Sequence, residues 1–242
     1  RSNCDIAVDL RIQSAADGGV KVHEIDVDRS RWLAKAAHGV KIPFLHVSCS
    51  RVFKGVSEQD YSETDVPDGE STIAGLLIDA ENEVIKHCER HFILRMGPVF
   101  SPTGMNLMTH ILRQLAEGEV VHLDREHRSS PVPFDDCAWV VNAVVDQISC
   151  GVESYGIYHY CSSGSTNYYE FGEVMLAAAS QYQDLNEDRI HPNPEKPVRN
   201  RELDCNKIRN TFAIKRQPWR TSVAGYVKQF YNEWESSRVE SS

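Results

Sequence analysis

Strand-like and helix-like segments alternate along the chain, and no other feature of the sequence constrains the fold as strongly. The clearest helix pattern runs from Ile73 to Cys88, where apolar residues recur at spacings of three and four. Runs typical of buried strands stand on both sides of it, at Pro43–Val47 and His91–Met96. This alternation predicts an α/β architecture.

The same patterns predict the remaining elements. Strands are predicted at Cys4–Leu10, Val120–Leu123 and Gly156–Cys161. Helices are predicted at Trp32–His38, at Asn106–Ala116, from a cap at Asp135 or Asp136 to about Ile148, from a cap at Ser165 or Thr166 through Ala179, and from Pro218 as a first-turn residue onwards. The polar, proline-bearing segment Gln181–Arg201 is predicted to be a long surface loop of the kind that often carries function.

Length and charge limit the classes of partner. The 242 residues support one large domain, or a main domain with a smaller lobe, and the formal net charge is −9. The densest basic stretch, Lys207–Arg220, is interrupted by apolar residues and does not form the stripe typical of nucleic-acid binders. No apolar run approaches the ~20 residues that span a bilayer. We therefore expect no nucleic-acid partner and no membrane attachment, whereas an anionic small molecule could still bind in a local pocket.

The seven cysteines are scattered and include no Cys-x-x-Cys pair. Most lie inside apolar-periodic segments, as Cys88 and Cys137 do. This usage is typical of reduced core thiols in a cytoplasmic protein, rather than of a disulfide framework or a zinc site. The ten histidines are dispersed as well, so the sequence predicts no metal site.

Six short segments between about residue 45 and about residue 235 form an ordered series. They are Leu45–Gly55; Tyr61-x-Glu63-x-Asp65-x-Pro67; Ile93–Arg95; Ser130-Pro131 with Asp136 and Ala138; Gly156–His159 followed by Gly164 and Tyr169–Phe171; and Arg199-Asn200 with Leu203-Asp204 and Lys207. In order and spacing they resemble the dTDP-4-dehydrorhamnose reductase family, an extended branch of the short-chain dehydrogenase/reductases.

The resemblance implies a Rossmann-like, doubly wound parallel sheet, incomplete in its N-terminal half, with a smaller C-terminal substrate-binding lobe. Residues 1–125 would form the remainder of the NAD(P)-binding domain. Residues 126–242 would be mixed, mainly the substrate-binding lobe with segments that return to the main domain. The implied ligand is a nucleotide-sugar, and a homodimer or a protein partner is left open.

The front of the family's fold has no counterpart in this sequence. The family begins with a strand, a Gly-x-x-Gly-x-x-Gly turn and a helix that hold the dinucleotide pyrophosphate. Here Gly18-Gly19 is a loop pair without such flanking elements, and by comparison about fifty residues are absent. We expect that segment to precede Arg1 in the intact protein. NADP or NAD binding is expected only if it does.

The family's catalytic pair is replaced. Its acidic loop leads without a gap into Tyr-x-x-x-Lys, in which the tyrosine donates a proton to the substrate carbonyl and the lysine lowers the phenol's pKa and holds the ribose. Counting from Tyr61 puts Ile73 at the tyrosine position and Leu77 at the lysine position, with Glu81 matching the family's following glutamate. Isoleucine and leucine carry no titratable group and extend the apolar stripe, so we predict that both are core residues.

Five other positions are candidates for binding substrate; Ser48 and Arg199 match the family, whereas Ser50 replaces its aspartate. Ser48 could hydrogen-bond a carbonyl, act in catalysis, or simply satisfy a backbone group at its strand end. Ser50 is interpreted as a pocket-wall residue or a turn former, and Asn106 as a helix cap or a sugar ligand. Arg128 and Arg199 could pair with a nucleotide diphosphate, because guanidinium groups fit phosphate oxygens.

Three polar residues are predicted to be structural. Arg95 is expected to form an ion pair, His159 to be a satisfied core histidine, and Asp136 to stand at a helix start.

Three functions remain open from the sequence. The first is a catalytically impaired or repurposed family member that binds a nucleotide-sugar. The second is an active NAD(P)H-dependent reductase of a nucleotide-linked 4-keto sugar with a non-standard proton donor, which rests on family membership alone. The third is a regulatory or scaffold subunit.

Overall fold

The computed structural model of the chain describes residues 4–11, 21–194 and 197–240, so the Gly18-Gly19 pair lies outside the described residues. The strands are β1 (Ala7–Asp9), β2 (Phe44–Cys49), β3 (His91–Met96), β4 (Val99–Phe100), β5 (Val121–Leu123), β6 (His127–Ser129), β7 (Val132–Pro133), β8 (Gly156–Tyr160), β9 (Thr166–Asn167), β10 (Ile190–Pro192) and β11 (Arg199–Asn200). The α-helices are α1 (Glu24–Gly39), α2 (Thr72–His87), α3 (Leu107–Ala116), α4 (Phe134–Ser149), α5 (Tyr168–Ala179), α6 (Asn206–Phe212) and α7 (Val223–Glu240). Short 3₁₀ turns lie at Ser50–Val52, Glu187–Arg189 and Trp219–Ser222.

A four-stranded parallel sheet in the order β1-β2-β3-β8 forms the centre of the fold. Strand β2 is buried along its whole length and β3 along all but its first residue, as expected of a parallel sheet covered on both faces. Helices α2, α4 and α6 contribute to the same core as the sheet, through residues such as Leu77, Val140 and Ile208. The predicted α/β class with a Rossmann-like parallel sheet is confirmed.

A second core forms the smaller lobe. Helices α3, α5 and α7 meet there around Met108, Phe171 and Trp219. The indole Nε1 of Trp219 donates a hydrogen bond to the carbonyl oxygen of Gly164 at 2.8 Å, which satisfies its buried polar group. Strand β8 comes from the second half of the chain and joins the main sheet. A boundary near residue 125 stays a prediction.

Several predicted element starts are wrong. The helix expected from Trp32 begins at Glu24, because the acidic first turn of α1 is polar and does not show the apolar spacing. Helix α4 follows Pro133 directly, so Asp135 and Asp136 lie inside its first turn instead of capping it. The last helix is preceded by the Trp219–Ser222 turn, so Pro218 caps that turn and α7 starts at Val223.

The cap of α5 was also predicted at the wrong residue. Asn167, not Ser165 or Thr166, precedes the helix, and its Oδ1 accepts a hydrogen bond from the Glu170 N–H at 2.8 Å. Thr166 lies instead in β9, which pairs with β6.

The segment Gln181–Arg201 is not a structureless loop. It contains β10, which pairs with β5, and β11, which pairs with β6. Both partner strands lie far away in sequence, so local composition could not reveal the pairing. None of the helices in the described ranges is long and apolar enough to span a membrane.

Candidate functional site

The carboxyl ends of β2, β3 and β8 meet at one edge of the main sheet, where open α/β sheets bind their ligands. Gly97 follows β3 at this edge. A side chain at this position would collide with the carbonyl oxygen of Ser130 and approach the Cβ of Cys161 to 3.1 Å. Glycine is therefore required where the β3 end, the β8 end and the Ser130-Pro131 turn approach one another.

Ser48 and Ser50 lie at the end of β2. Ser48 is fully buried, and its Oγ has no hydrogen-bond partner among the described residues. Ser50 starts a 3₁₀ turn in which its carbonyl oxygen accepts a hydrogen bond from the Phe53 N–H at 3.1 Å. The geometry thus supports the turn-former interpretation of Ser50 and leaves the Ser48 hydroxyl unsatisfied next to the edge of the sheet.

Ile73 and Leu77 stand on α2 and face the main core. Leu77 has no exposed surface, and Ile73 is half-buried and packs against the same core. Both are core residues, as predicted from the apolar stripe. Neither side chain carries a group that donates a proton or binds a ribose hydroxyl.

The nearby tyrosines do not offer a free hydroxyl in their place. The Tyr61 hydroxyl accepts hydrogen bonds from the N–H groups of Gly55 and Val56, both at 3.1 Å, and its ring stacks on Phe53. The Tyr158 hydroxyl donates to the Ser154 carbonyl oxygen at 2.5 Å. These phenols hold the loops together.

A buried ion pair confirms the structural role predicted for Arg95. Its guanidinium donates to Glu81 at 2.7 and 3.1 Å, and both side chains are almost completely buried. His159 lies beside them, with its Nδ1 3.0 Å from the Tyr61 carbonyl oxygen. Burial, reinforced by the charge of Arg95, lowers the pKa of His159 to about 3, so this core histidine is neutral.

Asp136 lies in the first turn of α4, as predicted. Its Oδ2 accepts hydrogen bonds from the Tyr160 hydroxyl at 2.5 Å and the Ser162 hydroxyl at 3.3 Å. Burial raises the pKa of Asp136 despite these hydrogen bonds. The carboxyl group ties α4 to the end of β8.

A cleft of about 400 Å³ opens between the turn after β2, the loop after β3 and the first half of α3. Apolar and cationic side chains share its wall, and the lining residues are Arg51, Pro98, Val99, Met105, Asn106, Leu107, Thr109, His110, Arg113 and Tyr168. An apolar wall with a few polar groups is typical of a small-molecule site.

Asn106 lines this cleft, but its side-chain amide forms hydrogen bonds to neighbouring residues of the chain. Its Oδ1 accepts from the Thr109 N–H at 3.3 Å, and its Nδ2 donates to the carbonyl oxygens of Ser101 and Thr103, each at 3.0 Å. The geometry supports the helix-cap interpretation over that of a sugar ligand.

Three arginines, Arg51, Arg199 and Arg201, form a cationic cluster with His127 next to the cleft. Burial, followed by the charges of Arg201, Arg199 and Arg51, lowers the pKa of His127 to about 4. Burial and the charges of Arg199 and Arg51 also lower the pKa of Arg201, whose buried Nε has no hydrogen-bond partner among the described residues. Repulsion among these groups would be relieved by a bound anion.

Arg51 belongs both to the cluster and to the cleft wall. Tyr168 also lines the cleft, and its ring stacks on His127 at 4.9 Å. Arg128 is placed differently, because its exposed guanidinium donates to the Ser165 hydroxyl at 3.2 Å and does not line the cleft. Of the two predicted phosphate ligands, the structure therefore brings Arg199 to the cluster and leaves Arg128 outside it.

Sequence reasoning missed Arg51, Arg201, His127 and Tyr168. Arg51 directly follows Ser50 in a segment that resembles the family, and Arg201 stands two residues after Arg199, so both were adjacent to predicted positions. His127 could not be found in this way, because the β6–β11 pairing that places it opposite Arg199 joins distant segments.

No group of three or more potential metal ligands occurs within the described ranges of the chain. None of the seven cysteines, all of which lie in the described part of the chain, forms a disulfide.

Comparison with known proteins gives consistent results. A dTDP-4-dehydrorhamnose reductase of Sinorhizobium fredii is 25% identical over 238 residues, which cover 92% of this chain and 79% of the relative. The methionine adenosyltransferase 2 subunit beta of Danio rerio is 21% identical over 221 residues, covering 86% of this chain and 66% of the relative.

Solved structures show the same fold. A dTDP-4-dehydrorhamnose reductase of Clostridium acetobutylicum superposes with a TM-score of 0.75 at 19% identity, covering 93% of this chain and 80% of the other. A reductase of the same name from Bacillus anthracis, solved in complex with NADP, gives 0.70 at 18% identity over 92% and 78% of the two chains. The RmlD substrate binding domain family matches residues 8–232, nearly the whole chain. The chain therefore belongs to the RmlD substrate binding domain family, the family of dTDP-4-dehydrorhamnose reductases.

Proposed function

We propose that this chain binds a nucleotide-sugar and that its reductase chemistry is impaired or repurposed. The observation that carries the proposal is the burial of Leu77 at the family's lysine position, together with Ile73 at the tyrosine position. The buried Ser48 hydroxyl at the end of β2 has no hydrogen-bond partner among the described residues, and a lone hydroxyl without a base is a poor proton donor.

The ligand proposed for the cleft is a nucleoside diphosphate sugar. The apolar wall around Leu107 and Met105 can contact a base or a sugar ring, and the cationic cluster can bind the diphosphate through Arg51, Arg199 and Arg201. Ser48 and Ser50 are proposed to border the sugar end of the site. The names of the reductase relatives, which specify a dTDP-linked sugar, support this class of ligand.

The residues present do not fit a nicotinamide cofactor as the family holds it. A nicotinamide cofactor supplies a hydride when bound, but a fully buried leucine stands where the ribose-binding lysine is expected. We propose NADP or NAD binding only for an intact protein that carries the glycine turn.

Calorimetric titration of the intact protein with dTDP-sugars, alongside an assay of NADPH oxidation, tests the function. We expect saturable binding of a dTDP-sugar without NADPH oxidation. NADPH oxidation at about 1 turnover per second or faster would contradict the impaired-enzyme proposal. It would favour an active reductase with a non-standard proton donor.

Two matched variants locate the site. Arg201→Met should weaken binding by roughly 10- to 100-fold, the effect of losing a charge-assisted hydrogen bond of about 1.5–3 kcal/mol. Arg128→Met removes an arginine from the neighbouring strand that bonds Ser165 instead, and its dissociation constant should stay within about twofold of the parent. Equal effects of the two substitutions would contradict the proposed position of the diphosphate.

A regulatory subunit is the second candidate function. It is favoured by the relative from Danio rerio, which is named as a subunit of methionine adenosyltransferase 2. If the intact protein binds none of the nucleotides tested, both ligand-based proposals fail. A regulatory role then requires that the protein changes the activity of a purified partner enzyme.

A further inference from the structure

Two cysteines meet where β8 ends and α6 begins. Cys161 directly follows β8, and Cys205 directly precedes α6. Their Sγ atoms lie 3.6 Å apart, and the carbonyl oxygen of Leu203 accepts a hydrogen bond from each, at 3.5 and 3.4 Å. We call Cys161 and Cys205 the thiol pair. Because a disulfide bond is about 2.05 Å long, the two sulfurs need to approach by only about 1.5 Å to form one.

The thiol pair is reached from one side. Cys161 is 1% exposed, whereas Cys205 is 6% exposed and lines a cleft of about 720 Å³. This cleft shares no lining residue with the one proposed for the nucleotide-sugar. A reagent in this second cleft therefore meets Cys205 first and reaches Cys161 only through it.

The surroundings of the thiol pair favour one thiolate and not two. The hydrogen bond with Cys161, followed by burial, raises the pKa of Cys205, so the two thiols do not lose their protons together. Either sulfur can hold the remaining proton, because the two are within hydrogen-bond distance of each other. When Cys161 holds it, Cys205 is the thiolate.

An arginine stands beside this thiolate. Arg216 donates hydrogen bonds to the carbonyl oxygens of Cys161 at 3.0 Å and Ser162 at 2.6 Å, and it lines the same cleft as Cys205. The pKa of Arg216 is raised despite its burial, because the negative charge of either thiolate attracts the guanidinium. A cationic neighbour and a partly open position are typical of reactive cysteines, whereas structural thiols are enclosed by apolar groups.

We propose that the thiol pair is a site of reversible oxidation, which oxidised glutathione converts into an internal disulfide. The Cys205 thiolate attacks one sulfur of oxidised glutathione, whose disulfide bond breaks, and the first glutathione leaves and takes up the proton lost from the pair. Cys161 then loses its proton and attacks the Cys205 sulfur, so that the second glutathione leaves with that proton. Two cysteine thiols are oxidised, and one glutathione disulfide is reduced to two glutathione thiols.

The cross-link is compatible with the fold because the main core positions both of its ends. Cys161 continues β8 of the main sheet, and Cys205 precedes α6, which packs in the same core through Ile208. No movement of the smaller lobe is needed. The proposal is also independent of the nucleotide-sugar site, since neither thiol lines the cleft proposed for that ligand.

Peptide mapping of the intact protein tests the proposal. The reduced protein is incubated with oxidised glutathione, its remaining thiols are alkylated in denaturant, and it is digested without reduction. We expect a disulfide-linked peptide that contains Cys161 and Cys205, with both lost together from the alkylated fraction and both recovered by dithiothreitol. Cys88 is the matched control, because it is as buried as Cys161 but lies in another core, and it should remain a free thiol.

Two serine variants test the order of the steps. Cys161→Ser removes the second thiol, so Cys205 should keep one glutathione as a mixed disulfide. Cys205→Ser leaves only the enclosed Cys161, which should stay unmodified. The exposed Cys4 and Cys150 are expected to react in every variant, so each cysteine is scored by its own peptide. Circular dichroism checks that both variants are folded.

Three results would overturn the proposal. The first is a treated parent protein in which Cys161 and Cys205 both remain free thiols. The second is a disulfide of either residue with a different cysteine in place of the internal bond. The third is equal uptake of glutathione by Cys161 and Cys205 in the two serine variants, which would contradict attack from the cleft. The first two are measured on the unmodified sequence and do not depend on how the variants fold.

Discussion

Leu77 has no exposed surface and lies in the apolar core beneath the main sheet. The residues that share its core are apolar, and Ala74 and Ala80 are buried on the same helix. An ammonium group placed there would lose its hydration, which costs free energy. The Leu77 side chain therefore fills space in the core. A substitution at this position also disturbs the residues that pack against it.

Restoring the family's pair should consequently give little activity. We expect Ile73→Tyr with Leu77→Lys to oxidise NADPH weakly at best and to lower the free energy of unfolding by about 3 kcal/mol or more. Leu77→Met, a substitution of similar volume, should cost less than about 1.5 kcal/mol. Urea unfolding measures the stability of the variants, and an NADPH assay measures their activity. A stable double variant with rapid turnover would show that the pocket is still that of a reductase.

The Arg95–Glu81 pair should be necessary for the fold because its partners are both buried. Arg95→Met leaves the Glu81 carboxylate unpaired, and we expect a loss of about 3–5 kcal/mol in urea unfolding. Adding Glu81→Met should recover most of that loss, since two apolar side chains of similar volume can replace a buried pair. If the single and double variants are equally unstable, the pair contributes through packing and not through charge.

His127 should make stability depend on pH. Its pKa is about 4 in the folded chain and about 6.5 when unfolded, so the unfolded state binds the proton more tightly. The free energy of unfolding therefore falls as the pH is lowered from about 6.5 to about 4, by up to about 3 kcal/mol from this residue. His127→Phe should flatten that part of the profile, and His191→Phe, at an exposed position, should not. His159 contributes in the same direction, so some slope should persist.

At the scale of elements, the sequence was sufficient to predict those helices and strands whose apolar pattern lies within the element itself. The apolar spacing from Ile73 to Cys88 predicted α2 nearly to the residue, and the buried run at His91–Met96 predicted β3. Strands β10 and β11 were missed because they are two or three residues long and are stabilised by pairing with β5 and β6. The cationic cluster depends on that same pairing, which is why only Arg199 of its members was predicted.

The cap of α5 shows the same limit, because Ser165, Thr166 and Asn167 are all good capping residues. Asn167→Ala removes the hydrogen bond to the Glu170 N–H and should cost about 1 kcal/mol in urea unfolding. Ser165→Ala, which removes a hydroxyl bonded to Arg128, should stay within about 0.5 kcal/mol of the parent. If the two substitutions lower the free energy of unfolding equally, both Asn167 and Ser165 cap the helix.

At the scale of the whole molecule, the cleft joins the two cores. Arg51 and Pro98 come from the turns that leave β2 and β3 of the main sheet, whereas Leu107 and Tyr168 come from helices of the smaller lobe. A ligand in this cleft therefore contacts both parts of the protein at once. Its binding free energy should add to the stability of the folded chain as a whole, because the unfolded chain has no cleft.

This linkage gives a prediction that separates the diphosphate from the base. At 100 times its dissociation constant, a dTDP-sugar should raise the free energy of unfolding by about 2.7 kcal/mol, whereas thymidine at the same concentration should have a much smaller effect because it lacks the charges that the arginines recognise. Urea unfolding of the parent and of Arg201→Met, each with and without ligand, measures the difference. The variant should lose about half or more of the stabilisation by the dTDP-sugar and keep that by thymidine. Equal stabilisation by the two ligands in the parent would place the recognition in the apolar wall of the cleft and not in the cationic cluster.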